Sequence, residues 1–238
     1  MGVLDVILNR GSFIEIFSSI ISAAIVVFLV MPVHEYAHGF VAEKLGDPTP
    51  RWQGRMSLNP IKHIDYVGAV MIFLVGFGWA KPVQVDSRYF KNEKRGMALT
   101  ALAGPVSNLI VATIVAFVLQ LVTFILFKTE FYIEYYGTYI YQFVSIIELI
   151  LLYITLINVS LAVFNLIPIP PLDGSKILYA ILPDRIYWKI MQYERYLYIG
   201  LLVLIFAGSG FGSALSNITG NVTEFILYVT SLPFELFI

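Results

Sequence analysis

Apolar and polar positions divide the chain into long uncharged runs separated by short charged ones. From Ile16 to Val33 no charge occurs, and helical periodicity continues through His34 and His38 to about Leu45, where Gly46-Asp47-Pro48 stops it. A second apolar run, Tyr66 to Ala80, is only 15 residues long and contains Gly68, Gly76 and Gly78. It is too short and too breakable to cross a bilayer, so a re-entrant hairpin is expected there. Gly96 to Phe127 is uncharged for 32 residues, interrupted only by Gly104-Pro105, and is long enough to span with tilt or a kink. The third span is expected from about Tyr139 to Leu166, with Glu148 its one charge, ending at Pro168, Pro170 and Pro171. A fourth is expected over about Tyr196 to Gly212. The last stretch, Val222 to Ile238, is shortened by Glu224, Pro233 and Glu235 and either spans or lies in the interface.

A helix crosses a hydrocarbon core of about 30 Å with roughly 20 residues, so the pattern predicts an all-α polytopic membrane protein with about 4–6 transmembrane helices and a membrane-inserted re-entrant hairpin. Composition agrees. Of 238 residues 58% are hydrophobic and 13% charged, where soluble domains carry about 25% charged residues. The first apolar run follows Asp5, Arg10 and Glu15 and lacks a small-residue cleavage pattern, so it is read as a retained helix.

A net charge of −1 gives no overall field that would attract nucleic acid. The absence of cysteine excludes disulfides, thiolate metal sites and a cysteine nucleophile, so any metal must use nitrogen and oxygen ligands. Lys44, Arg51, Arg55 and Lys62, then Lys81, Arg88, Lys91, Lys94 and Arg95, then Lys176, Arg185, Lys189 and Arg195 hold 13 of the 15 lysines and arginines. All three clusters fall on one side of the expected spans, which the positive-inside rule makes cytoplasmic. The multi-pass protein is therefore expected in the cell (plasma) membrane, with His34 and His38 in the cytoplasmic half.

Chemistry enters at His34-Glu35-Tyr36-Ala37-His38, an H-E-x-x-H pattern. On a helix the i, i+4 spacing puts both imidazoles on one face, and the intervening Glu35 is rotated beside them, where a carboxylate takes a proton from an activated water. Charged groups inside a span are expensive and mostly functional, and a metal ion is the simplest partner for this pair. A catalytic zinc needs a third protein ligand and an open position. His63, Glu15, Glu148 and Asp173 are the candidates. Asp173 is best placed, following the third span at the same end as the histidines within Asn165-Leu166-Ile167-Pro168-Ile169-Pro170-Pro171-Leu172-Asp173-Gly174. Its alternative role is to cap a short helix starting near Ser175.

The two separated elements, His34 to His38 and Asn165 to Gly174, resemble the site-2 protease family of intramembrane zinc metalloproteases over most of residues 30–180. Ser57-Leu58-Asn59-Pro60, Gly78-Trp79-Ala80-Lys81-Pro82 and Ala103-Gly104-Pro105-Val106-Ser107-Asn108 resemble its compact prokaryotic branch, which lacks a PDZ or CBS domain. The resemblance implies one Zn2+ per chain held by His34, His38 and Asp173, with Glu35 as catalytic base and Asn165 at the active site. It also implies that the 66–85 hairpin lies near the substrate cleft. Asn108 either faces the same cavity or pairs helices. One transmembrane metalloprotease domain is expected over residues 1–238, its catalytic core at about 12–182 and C-terminal helices at about 196–238. The expected partners are the bilayer and a transmembrane or membrane-anchored protein substrate, cleaved within or near its transmembrane segment. The rival readings are a non-catalytic membrane scaffold, which would be expected to have lost Glu35 or a ligand, and a metal-dependent transporter, which would be expected to show repeat symmetry.

Overall fold

The computed structural model describes residues 2–75, 78–207 and 209–235. Gly76 of the expected hairpin, Gly208 of the expected fourth span and residues 236–238 of the last apolar stretch lie outside the described residues. Among those described, no strand occurs. Helices α1 (Val3–Leu8) and α2 (Phe13–Ile25) lead through a π turn (Val26–Val30) into α3 (Met31–Lys44) and a short α4 (Thr49–Trp52). Then follow α5 (Tyr66–Val75), α6 (Glu93–Lys128), α7 (Phe131–Glu134), α8 (Tyr139–Asn165), α9 (Asp173–Ile181), α10 (Asp184–Met191), α11 (Glu194–Ala207) and α12 (Ser209–Glu235).

Among the described residues, three helical segments are long and apolar enough to cross a membrane: Phe13–Lys44, Glu93–Lys128 and Tyr139–Asn165. The first is a continuous rod built from α2, the π turn and α3. Its start is fixed by a capping box, in which Ser12 N–H donates to Glu15 at 2.6 Å and Glu15 N–H to the Ser12 hydroxyl at 3.3 Å. Its π turn has a cause in Pro32, which lacks an N–H and whose ring collides with the carbonyl four residues back. The wider turn just upstream absorbs that mismatch, with Met31 N–H reaching Val26 O. The rod ends where expected, with Gly46 at φ +110°.

α6 stands against α3, α8, α9 and α12. It can do so because its buried face repeats every four residues as Gly96, Thr100, Gly104, Asn108, Ala112 and Ala116, a ladder of small side chains that lets neighbouring backbones approach. The core formed beside it joins Ala23, Val26, Val27, Val30 and Met31 of the first span to Ile154, Ile157 and Leu161 of α8 and to Ile72 and Ala80 of the hairpin.

The expected hairpin is present as α5 and an extended return from Gly78. The two limbs touch backbone to backbone: a β-carbon on Gly68 would stand 1.9 Å from Trp79 O, and one on Gly78 2.1 Å from Gly68 O. Lys81 N–H then bonds His63 O at 2.7 Å, closing the base.

Between the expected fourth span, 196–212, and the last stretch from Val222, the described residues are helical as well: α11 covers Glu194–Ala207 and α12 covers Ser209–Glu235. Along α12, Ser213, Thr223 and Thr230 return their hydroxyls to carbonyls three or four residues back, so these polar side chains are satisfied within the helix.

Candidate metal and catalytic site

α3 places His34 and His38 one turn apart on the face that meets α6, and α9 begins with Asp173 against the same point. His38 Nε2 lies 3.1 Å from His34 Nε2. Asp173 Oδ2 lies 3.1 Å from His38 Nε2 and 3.5 Å from His34 Nε2. All three residues are buried, at 3%, 6% and 7% exposure for His34, His38 and Asp173. Among the described residues they form the one group of three such side chains close enough to share an ion.

The hydrogen bonds on the far side of each ring fix what these atoms are. His38 Nδ1 lies 2.7 Å from the carbonyl of Thr100, which can only accept, so Nδ1 carries the proton. For His34 the assignment runs through two amides. Asn158 Nδ2 donates to Ile154 O at 2.8 Å, which orients that amide; Asn108 Nδ2 donates to Asn158 Oδ1 at 3.0 Å; Asn108 Oδ1 is therefore the atom facing His34 Nδ1, and Nδ1 is the donor. Both Nε2 atoms are then bare lone pairs facing one another and a carboxylate oxygen. Without a cation that arrangement is repulsive and desolvated. A tetrahedral zinc with ligands at about 2.0–2.1 Å separates neighbouring donors by about 3.3 Å, and the observed triangle of 3.1, 3.1 and 3.5 Å fits one face of such a site. The residues present suit the metal that the motif implies.

Glu35 is also buried, one residue round the helix from the histidines. Its Oε2 accepts a hydrogen bond from Val83 N–H at 2.9 Å, which ties it to the extended return of the hairpin. His34, Glu35, His38 and Asp173 share a cavity of about 300 Å³ with Trp79, Val83, Asn165 and Lys176 among its other lining residues. Asn165 thus reaches the cavity wall, with its amide donating to Leu161 O at 3.0 Å.

The other candidates are occupied elsewhere. Asp173 does not cap α9: Leu172 stands at that position, and the Asp173 carboxyl turns to the histidines. Glu15 belongs to the capping box of α2. Glu148 accepts from the Tyr132 phenol at 2.5 Å and from Thr123 at 3.1 Å, pinning α7 over the ends of two spans; burial and this carboxylate push the Tyr132 phenol up, so it remains the proton donor. His63 is buried in the hairpin base with Nε2 2.7 Å from Ser57 O. Asn108 faces the site and also pairs helices. The groups that sequence reasoning missed are Asn158, the Thr100 carbonyl and the Val83 amide. A buried asparagine within a span was the one available signal, for Asn158; the other two are backbone atoms.

Comparison with known proteins bears on the same residues. The model of peptidase family M50 matches residues 22–208. A protein of Bacillus subtilis (strain 168) assigned as a zinc metalloprotease, YwhC, is 43% identical over 173 residues, covering 72% of this chain and 74% of that relative. A protein of Mycobacterium tuberculosis (strain H37Rv) assigned as zinc metalloprotease Rip2 is 27% identical over 181 residues, covering 74% of this chain and 62% of that relative. No solved structure matches the chain at comparable significance.

Proposed function

Since the chain belongs to peptidase family M50, the site-2 protease family of zinc metalloproteases, we propose that it hydrolyses a peptide bond within or near a transmembrane segment of a membrane-protein substrate. The observation that carries this reading is the convergence of His34 Nε2, His38 Nε2 and Asp173 Oδ2 in a buried cavity that Glu35 also lines.

His34, His38 and Asp173 are the residues that would hold one Zn2+. When bound, zinc supplies Lewis-acid activation of a water and of the scissile carbonyl. Glu35 acts as the general base: it receives the proton of the attacking water and delivers it to the leaving nitrogen, while the Val83 N–H keeps its carboxylate in place. Asn165, on the cavity wall, offers an amide to the substrate strand or to the developing oxyanion. A substrate helix ties its carbonyls in i→i−4 bonds, so the scissile stretch must unwind before it enters. Substrates with helix-weakening residues near the scissile bond are favoured, and insensitivity of cleavage to added Pro or Gly would count against that preference. The placement of 13 of 15 basic residues on one side of the spans supports a plasma-membrane protein whose site opens towards the cytoplasm.

The test measures zinc content and cleavage of a model transmembrane peptide. Glu35→Gln is expected to keep zinc and lose cleavage, and Asp173→Ala to weaken both. Cleavage by Glu35→Gln at the wild-type rate would sink the mechanism. Zinc bound with no cleavage of any membrane substrate by the wild type would leave a non-catalytic scaffold.

A further inference from the structure

His34 and His38 are each held from behind, by Asn108 and by the Thr100 carbonyl, so that one atom of each ring is committed to the cavity. Asp173 has the same need. Its backbone is fixed, because Gly174 is seated against the turn after α8 so closely that a β-carbon there would lie 2.3 Å from Leu166 O. Its carboxylate, however, has two equivalent oxygens. Either could face the histidines, or both could, which would raise the coordination number to five and crowd the position that a catalytic zinc keeps open for water.

The structure breaks that equivalence with a residue that nothing above assigns. Lys176, one turn along α9, places Nζ 3.1 Å from Asp173 Oδ1, while Oδ2 alone faces the histidines. A lysine in the first turn of a helix works against the macrodipole, which offsets what its i, i+3 pairing with Asp173 adds to the helix. The side chain is 37% exposed and lines the cavity.

We propose that Lys176 is a positioning residue that reserves Asp173 Oδ1, so that the carboxylate presents a single oxygen to the metal and the fourth position stays open. This rests on the zinc-protease reading. It differs from a plain supporting role in direction: removing Lys176 takes a competing cation from Asp173 and frees its second oxygen, so the metal should bind no more weakly while turnover falls.

The test uses the full chain in detergent or lipid, loaded with Co2+ as a visible probe of coordination number, alongside zinc-loaded kinetics. Four-coordinate Co2+ absorbs more strongly in the visible than five-coordinate Co2+. Lys176→Met is expected to weaken that absorption and to lower kcat by about 10–100-fold, with KM and metal affinity near wild type. Lys176→Arg, which keeps a cation and donors, is expected to restore the spectrum and most of kcat. An unchanged spectrum in Lys176→Met overturns the proposal; if KM rises at the same time, Lys176 contacts substrate instead. Metal loss in Lys176→Met that Lys176→Arg does not repair also overturns it, because the role is then general to the fold. A wild-type protein that takes up no Co2+ overturns the zinc-protease reading itself, which separates the two failures.

Discussion

Gly104 and His38 are so close that a β-carbon built on the glycine would stand 2.3 Å from His38 Nε2, and 2.6 Å from His34 Cε1. The floor of the candidate metal site is therefore the backbone of α6, and no side chain fits between it and the imidazoles. Gly104→Ala is expected to displace both rings and lower zinc affinity by about 10–100-fold, measured by competition with a chromophoric chelator. Wild-type affinity in this variant would mean that α6 can withdraw from α3.

The asparagine pair behind His34 makes a graded prediction. Asn108→Leu strands His34 Nδ1–H in a buried place, at a cost of about 1–3 kcal/mol, and frees the ring to adopt the wrong tautomer. Asn158→Leu leaves Asn108 in contact with His34 but removes what orients its amide, so the loss of zinc affinity should be smaller. In the double variant the losses should fall short of additive, since both act through one ring. Additive losses would show that Asn158 acts by packing alone.

Removing the metal leaves three mutually repelling donor atoms in a buried site. Chelation should therefore lower Tm, and zinc at about a thousand times its Kd should restore about 4 kcal/mol of stability.

His63 supplies a control outside the site. Its ring is buried in the hairpin base and bonds Ser57 O at 2.7 Å. His63→Leu is expected to cost about 1–3 kcal/mol of stability with the zinc-to-protein ratio unchanged, measured by thermal unfolding and metal analysis. A lowered ratio would bring His63 into the metal's surroundings.

Much of this arrangement could be read from the chain because it is periodic. The uncharged runs mark the spans, i, i+4 spacing pairs His34 with His38, and Gly68 and Gly78 mark a hairpin too short to cross. Asp173 could be narrowed by topology, since it follows the third span at the histidine end. What escaped the sequence were partners without side-chain identity, such as the Thr100 carbonyl and the Val83 amide. Contacts whose register only the fold sets escaped too, such as Asn108 with Asn158. Lys176 counted among the basic residues of a loop cluster; only the position of its ammonium beside one oxygen of Asp173 distinguishes it. The helix over 213–221 escaped as well, because serine and threonine hydroxyls can satisfy themselves within a helix.

The π turn at Val26–Val30 sets two angles in one rod. An α-helix advances about 100° per residue, and a π turn takes up one residue more than an α turn. The stretch before it and the stretch that bears the histidines are therefore out of phase. The azimuth that residues 13–25 show to lipid and to α8 is decoupled from the one that aims His34 and His38 at α6. Deleting one residue within the turn would regularise the rod by rotating one half against the other, so either the upstream seam or the imidazoles would face the wrong neighbour.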